Sequence, residues 1–327
     1  VISIALKNNI DNTYYVWGLN DYDASTSIMQ HNRVVYKKCA NEAELLSDFI
    51  LHWSLPSNCP DIITGWNIRF FDVPYLVNRT LKILGDDVVK KLSPWGLVDR
   101  YDVKVMNRSQ ATYDLKGIST IDYLELFQKF GYSYGNQESY RLDNIANVVL
   151  GEKKLSYEEH GSLHTLYKFD HQKFIDYNIK DVELVDRLED KMGLITLCLT
   201  MAYQGGVNYG DTFGVTAIWE SIIYRHLLSE KIAIPFFDQN TKTNYPGGYV
   251  KDPMVGQHEN VVSFDLNSLY PSLIMQYNMS TETIADGEVL NIDIDKILDG
   301  YTFQNPGKAV GGNGQLFNTD KKGFMPT

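Results

Sequence analysis

The chain has 327 residues, of which 44% are hydrophobic and 22% are charged, and its formal net charge at pH 7 is −11. This length is sufficient for two domains with a core each, and the composition is that of an ordinary globular protein without a membrane-spanning run of about 18 apolar residues. The excess of acidic residues disfavours a simple nucleic-acid binder, which would present a basic surface, but it is compatible with an enzyme whose carboxylates hold metal ions.

The predicted elements begin with a hairpin. Residues 1–7 and 13–19 are rich in apolar and aromatic side chains, and the asparagines and the aspartate between them favour a turn. The first residues lack a basic leader, so they are interpreted as a strand and not as a signal peptide. Asn41-Glu42-Ala43-Glu44 resembles a capping box, which predicts the start of an amphipathic helix.

Further along the chain, strand and helix patterns alternate. In chain order, the predicted elements are a strand at 61–66, a helix at 74–84, a strand at 118–124, a helix at 142–150, one long helix at about 171–203, and further helix within 202–234, including 217–230. The glycine-rich residues 307–318 predict a loop. This order predicts a mixed α/β (α+β), nuclease-like domain that ends near residue 195.

The cysteines are scattered and odd in number: Cys39, Cys59 and Cys198. They match neither a disulfide framework nor a zinc site, and they favour a reducing, cytosolic compartment. His160 and His164 have no cysteine within reach, which disfavours a metal site around them.

Two segments place carboxylates and aromatic residues at short spacing. Asn67 and Asp72 follow the predicted strand 61–66, in a loop or in the first turn of the next helix. Tyr177 and Asp181 are four residues apart, so they share one face of the long predicted helix. Each segment has a purely structural alternative, because Asp72 is also typical of a helix N-cap and a Tyr/Asp helix face is also typical of solvated surface.

Residues 261–274, VVSFDLNSLYPSLI, are the most informative stretch. The apolar run 261–264 predicts a buried strand that ends at Asp265, and Pro271 suits the first turn of a following helix. A carboxylate beside the free N–H groups of a helix start suits a divalent cation and a phosphate chain. A plain turn or cap aspartate is the alternative.

The string Asp-Leu-Asn-Ser-Leu-Tyr-Pro-Ser within this stretch resembles the first palm motif of family B DNA polymerases, Asp-x-x-Ser-Leu-Tyr-Pro-Ser. The resemblance implies that Asp265 is a ligand of both catalytic magnesium ions. It also implies that Tyr270 lies under the sugar and excludes a ribose 2′-OH. The backbone amides implied to face the triphosphate are those of Leu266, Asn267, Ser268 and Leu269.

The two earlier segments resemble the second and third motifs of the proofreading 3′–5′ exonuclease domain of the same family, Asn-x-x-x-Phe-Asp and Tyr-x-x-x-Asp. The resemblance implies that Asp72 and Asp181 help to hold two metal ions and that Tyr177 orients the attacking water. It implies that Asn67 and Phe71 contact DNA, with Phe71 at the frayed 3′ end. Two ions about 3.5–4 Å apart need several carboxylates to offset their charge, which explains the residue types.

A glycine motif precedes the palm motif. Tyr245 with Gly247 and Gly248 resembles the family's Tyr-x-Gly-Gly motif, which implies backbone contact with template-strand phosphates; a simple turn is the alternative. Tyr203-Gln204-Gly205-Gly206 fits the same pattern, but it follows directly on the long predicted helix and is interpreted as a helix stop.

The resemblance extends over the whole chain and is greatest to T-even-type phage replicative polymerases, through residues 91–94 and 249–253. It implies a ribonuclease-H-like exonuclease domain at 1–194, a helical connecting segment at 195–237 and the N-terminal part of the palm at 238–327. The family's first exonuclease motif, Asp-x-Glu, does not occur in residues 1–20, and the later palm motif and the fingers motif do not occur either. We therefore interpret the chain as an internal fragment and expect neither activity from it alone.

The function that the resemblance implies is template-directed DNA synthesis with 3′–5′ proofreading by two-metal-ion phosphoryl transfer. The implied cofactor is Mg²⁺, two ions per site, with Mn²⁺ as a substitute. The implied partners are primer–template DNA, a single-stranded 3′ end, dNTPs and a sliding clamp, in the cytoplasm of a bacterial host. The alternatives are a stand-alone 3′–5′ exonuclease of the ribonuclease-H-like fold and a non-catalytic DNA-binding remnant.

Overall fold

The computed structural model describes residues 1–27, 33–105, 108–156, 158–233, 250–292, 299–300 and 307–326. The chain divides into two compact units, Val1–Gln239 and Asn240–Thr327. The finer division expected at residues 194 and 237 stays a prediction. None of the helices in the described part of the chain has the length and hydrophobicity of a membrane span.

The first unit opens with the predicted hairpin. Strands β1 (Ser3–Asn8) and β2 (Thr13–Gly18) pair antiparallel, and β3 (Arg33–Lys38) adds to β2 in parallel. Helix α1 (Glu42–Ser54) follows, and the Asn41 side chain accepts a hydrogen bond from the Glu44 N–H at 3.0 Å, so the predicted helix start is confirmed.

Two short sheets follow in the first unit. Strands β4 (Ile62–Gly65) and β7 (Ser119–Asp122) pair in parallel, so that Gly65 stands opposite Asp122. Between them in the chain lie α2 (Asp72–Leu84), α3 (Asp86–Val89) and a hairpin of β5 (Val98–Val105) and β6 (Arg108–Leu115), which the sequence patterns did not indicate.

The predicted strand 118–124 is too long at its C-terminal end. The Asp122 side chain caps the next helix, α4 (Tyr123–Phe130), by accepting a hydrogen bond from the Leu124 N–H at 3.0 Å. Helix α5 (Leu142–Leu150) has the predicted bounds, and α6 (Leu163–Phe169) precedes the long helical region.

The single long helix predicted at about 171–203 is wrong, because the structure has two helices. Helix α7 (His171–Met192) ends at Gly193, whose φ of 62° is left-handed, and α8 (Leu194–Gly205) begins directly after it. The predicted stop at Gly205-Gly206 is confirmed, and α9 (Val215–Ser229) matches the last predicted helix of this unit.

The core of the first unit consists mainly of two clusters. One cluster joins β7, α4, α5, α7 and α8 and contains Tyr123, Phe127 and Leu188. The other joins the hairpin, α1 and α2 and contains Trp17 and Phe49 among its buried residues. The long helix α7 is therefore packed against the sheets, which fixes the direction of its polar face.

The second unit contains α10 (Leu269–Tyr277) and a sheet in the order β8 (Ile284–Val289), β10 (Gln315–Asn318), β9 (Lys308–Val310). The loop predicted over 307–318 is wrong, because β9 and β10 pair antiparallel across the glycine turn. The buried strand predicted at 261–264 is also wrong. These residues are exposed and have no regular secondary structure, because none of the described strands pairs with them.

Candidate functional site

The turn between β4 and α2, residues 66–71, carries Asn67 and Phe71 and leads to Asp72. At Gly65 a β-carbon would stand 2.4 Å from Cγ2 of Ile68, so the close return of the chain requires glycine there. Asn67 has a left-handed backbone with φ of 64°, a conformation that asparagine tolerates better than most residues. Its carbonyl accepts a hydrogen bond from the Phe71 N–H at 3.0 Å, so the 66–71 turn leads directly into α2.

Asp72 is the first residue of α2, and Phe71 occupies the N-cap position without a side-chain cap bond. The structural alternative, in which Asp72 is the N-cap, is therefore wrong. Asp72 is an exposed residue. Desolvation of its carboxyl group by the surrounding protein, with repulsion from Asp122 and Asp181, nevertheless raises the pKa of Asp72 to about 6.

Asp181 and Tyr177 lie on one face of α7, where both meet a lysine. Lys154 Nζ donates to Asp181 Oδ2 at 2.7 Å and stands 5.4 Å from the centre of the Tyr177 ring. Burial alone would lower the pKa of Lys154, but Asp181 and Tyr177 outweigh it, so the pKa is raised. Burial raises the pKa of Asp181 and Lys154 opposes that effect. Tyr177 and Asp181 thus share Lys154 as a neighbour, and the charge of Asp181 contributes to the raised pKa of Asp72.

The donor set partly fits divalent cations. Asp181 Oδ1 is buried and accepts no hydrogen bond from the described residues, which leaves a carboxylate oxygen available to a cation. The mutual repulsion that raises the pKa of Asp72 would also be relieved by positive charge. Within the described ranges, no group of three or more His, Cys, Asp or Glu residues is arranged to hold a metal ion. The metal-ligand role of Asp72 and Asp181 therefore stays a prediction.

Sequence reasoning missed two residues of this site, Asp122 and Lys154. Asp122 is 1% exposed, and its two carboxylate oxygens accept from the backbone N–H groups of Asn67 and Arg69 at 2.9 and 3.0 Å. Its place within the predicted strand 118–124 gives no local signal of this role. Lys154 lies in a loop without periodicity, and only its contact with Asp181 reveals it.

An exposed aromatic pair adjoins Asp72. The rings of Phe71 and Tyr75 are 6.1 Å apart between centres and 5° from parallel, and the two residues are 61% and 49% exposed. Exposed aromatic faces are what unstacked nucleobases bind on proteins that hold single strands, at about 1–3 kcal/mol per base. This placement suits the DNA contact predicted for Phe71.

The second predicted site lies in the second unit and is exposed to solvent. Asp265 and the residues around it are exposed, and Tyr270 is 76% exposed. Ser268 precedes α10 with a left-handed φ of 53° and makes no cap bond, and Leu269 is the first helical residue. The predicted helix with Pro271 in its first turn is confirmed. The predicted template contacts Tyr245, Gly247 and Gly248 lie outside the described residues.

Two family models match two separate parts of the chain. The model described as "DNA polymerase family B, exonuclease domain" matches residues 2–145, and the model described as "DNA polymerase family B" matches residues 214–306. The first range contains Asn67, Phe71, Asp72 and Asp122, and the second contains Asp265. Tyr177, Asp181 and Lys154 lie between the two matched ranges.

The chain is also similar to curated DNA polymerases over most of its length. The DNA-directed DNA polymerases of Escherichia phage RB69 and of Enterobacteria phage T4 are each 35% identical over 90% of the chain. The DNA polymerase delta catalytic subunit of Candida albicans is 27% identical over 86% of the chain. The chain spans 32% of the length of either phage relative and 27% of the Candida relative.

Proposed function

Because the chain belongs to DNA polymerase family B, we propose that the protein extends a primer along a DNA template and removes mismatched 3′ ends by a 3′–5′ exonuclease activity. The single observation that carries this proposal is the pair of family matches, exonuclease then polymerase, along one chain. The electrostatic repulsion between Asp72 and Asp181, which helps to raise the pKa of Asp72, supports it. Both activities are assigned to the protein at its natural full length.

In the exonuclease site, Asp72 and Asp181 are the carboxylates that hold divalent ions. Two magnesium ions bound there, for which manganese could substitute, would supply a hydroxide at neutral pH and would stabilise the leaving oxygen. Tyr177 orients the attacking water. Lys154 holds Asp181 in place through one oxygen and leaves the other free for a cation.

The DNA end is held by the residues that precede Asp72. Phe71 stacks on the terminal bases of a single-stranded 3′ end, and Asn67 contacts the strand from the 66–71 turn. Single strands suit such a surface because every base has a face that can stack. A paired 3′ end therefore has to unpair before it reaches the site, which favours mismatched ends.

In the polymerase site, Asp265 is a metal ligand and the backbone amides of residues 266–269 face the triphosphate. Tyr270 packs under the sugar and excludes a ribose 2′-OH, so dNTPs are the substrates. Tyr245, Gly247 and Gly248 contact template-strand phosphates. The remaining partners are primer–template DNA and a sliding clamp, and the protein acts in the host cytoplasm if it is encoded by a phage.

The test uses the protein at its natural full length with two single variants. Asp72→Ala should lower excision from a labelled single-stranded oligonucleotide at least 100-fold while primer extension changes less than twofold. Asp265→Ala should lower primer extension at least 100-fold while excision changes less than twofold. Asp61→Asn, at an exposed carboxylate before β4, serves as the control and should change neither activity.

The same experiment separates the alternatives. Excision without any primer extension in the wild type would support a stand-alone exonuclease. DNA binding without either activity would support a non-catalytic remnant. Equal loss of both activities in each variant would contradict the assignment of two separate sites.

A further inference from the structure

Arg69, in the middle of the 66–71 turn, is bound at each of its polar groups. Its N–H donates to Asp122 Oδ2 at 3.0 Å. Its carbonyl accepts from Thr112 Oγ1 at 2.7 Å. Its guanidinium donates from Nη1 to both oxygens of Glu125, at 2.9 and 3.1 Å. We call Thr112, Asp122 and Glu125 together the Arg69 clamp.

The members of the Arg69 clamp come from three elements of secondary structure. Thr112 lies on β6, Asp122 ends β7 and Glu125 lies in the first turn of α4. Thr112 is 0% exposed and Asp122 is 1% exposed, so water does not compete for the hydrogen bonds that these two residues make to Arg69. The clamp therefore holds the backbone N–H and the carbonyl of Arg69, and it also holds the guanidinium group.

Asp122 extends the clamp to Asn67. Its Oδ1 accepts from the N–H groups of Asn67 at 2.9 Å and Leu124 at 3.0 Å, while Oδ2 is used by Arg69. An ionised carboxylate is a pure acceptor and can take all these bonds together. The left-handed conformation of Asn67 is thus held by a buried carboxyl group 55 residues further along the chain.

We propose that Thr112, Asp122 and Glu125 are positioning residues of the exonuclease site, which hold the 66–71 turn so that Asn67 and Phe71 meet the DNA end and Asp72 meets Asp181. The proposal rests on the proposed exonuclease function. Neither the sequence motifs nor the family matches assign a role to these three residues. Loosening the turn should act on the chemical step, since misplacement of a catalytic group by about 1 Å can cost about 100-fold in rate.

The structure supplies a matched pair of threonines for the test. Thr112→Val removes the hydroxyl bound to the Arg69 carbonyl and keeps the side-chain shape. Thr80→Val makes the same chemical change at a threonine that is also 0% exposed but whose Oγ1 makes no hydrogen bond to the described residues. The two variants differ in the clamp bond and not in burial.

Each variant is made in the protein at its natural full length, and single-turnover excision of a single-stranded oligonucleotide is measured with Mg²⁺. Thr112→Val should lower the maximal excision rate at least 10-fold and change the dissociation constant for the oligonucleotide, measured with Ca²⁺, less than threefold. Primer extension should stay within twofold, and Thr80→Val should leave all three quantities within twofold. Glu125→Gln should lower excision in the same direction as Thr112→Val.

Hydrogen exchange identifies the cause. The amide of Asn67 or that of Arg69 should exchange at least 10-fold faster in Asp122→Asn, because asparagine keeps only one acceptor oxygen for these two N–H groups. An unchanged excision rate in Thr112→Val would overturn the proposal. Equal losses of excision and extension would overturn it too, as they indicate general destabilisation. An excision rate in Asp72→Ala equal to that of the wild type would instead overturn the proposed function itself.

Discussion

Asp72 carries its charge in surroundings that disfavour charge. Its pKa is raised from 3.8 to about 6 by burial and by repulsion from two aspartates. Because the folded pKa lies above the unfolded one, the folded state binds the extra proton between these two values. The stability of the fold therefore falls as pH rises from about 4 to about 6 and then stays lower. An aspartate whose ionised form lowers the stability of the fold is better explained by a role in cation binding than by a role in folding.

Asp72→Asn should consequently stabilise the metal-free protein at pH 7. The expected gain is about 1 kcal/mol, less than the full pKa shift implies, because solvent screens a side chain that is partly exposed. Urea unfolding in EDTA at pH 7 measures it, and the gain should disappear at about pH 4. Asp61→Asn is the control, with an expected change below about 0.5 kcal/mol. A loss of stability in Asp72→Asn at pH 7 would contradict the statement that the ionised carboxylate of Asp72 destabilises the fold.

The residues that could be predicted from sequence are those whose spacing is local. Asn67 and Phe71-Asp72 lie within one turn, and Tyr177 and Asp181 lie within one helical repeat. Asp122 and Lys154 could not be predicted, because their role appears only when strand pairing brings residue 122 beside residue 65 and a loop folds onto α7. Positioning residues act across the fold, and local patterns do not record such contacts.

At the scale of elements, the junction between α7 and α8 shows how one backbone conformation overrides side-chain periodicity. Apolar residues recur at helical spacing on both sides of Gly193, which is why one long helix was predicted. The φ of 62° at Gly193 ends the first helix, and the second begins directly after it. The bounds of α7 matter for function, because this helix carries Tyr177 and Asp181.

Gly193→Ala should destabilise the first unit by about 1 kcal/mol, since a left-handed conformation costs an L-residue about 1–2 kcal/mol. A β-carbon at Gly193 meets no atom within 4 Å, so the cost is one of backbone conformation and not of packing. Gly210→Ala is a matched control, because Gly210 also has open space around it but no left-handed φ. Urea unfolding that gives equal changes for both variants would contradict this reason.

The predicted mixed α/β fold is confirmed at the scale of the whole molecule, and the exonuclease-domain match supports the ribonuclease-H-like class of the first unit. The sequence was less informative for the second unit. The run 261–264 has the composition of a strand, but composition cannot supply the neighbouring strand that its backbone requires. The acidic net charge of −11 argued mildly against DNA binding, yet charge sums say little about local sites in a protein of this family.

The two units can be followed separately in one molecule, because all five tryptophans, at positions 17, 53, 66, 95 and 219, belong to the first unit. In the second unit, Glu282 ties residue 280 to the C-terminal segment by accepting from Ser280 Oγ at 2.6 Å and from the Phe324 N–H. Burial alone would raise the pKa of Glu282, but these hydrogen bonds outweigh it and lower the pKa to about 2. The stabilisation is thus complete above about pH 4.5 and is lost as pH falls through about 2.

Glu282→Gln should therefore weaken the second unit at pH 7 by about 0.5–1 kcal/mol, a modest value because the side chain is largely exposed. Hydrogen exchange at the Phe324 amide should become faster at pH 7, while the tryptophan fluorescence transition of the first unit should stay unchanged. The difference between variant and wild type should vanish near pH 2 in far-UV circular dichroism. A shift of the fluorescence transition equal to that of the second unit would mean that the units unfold together, and the charge on Glu282 would then stabilise the whole chain.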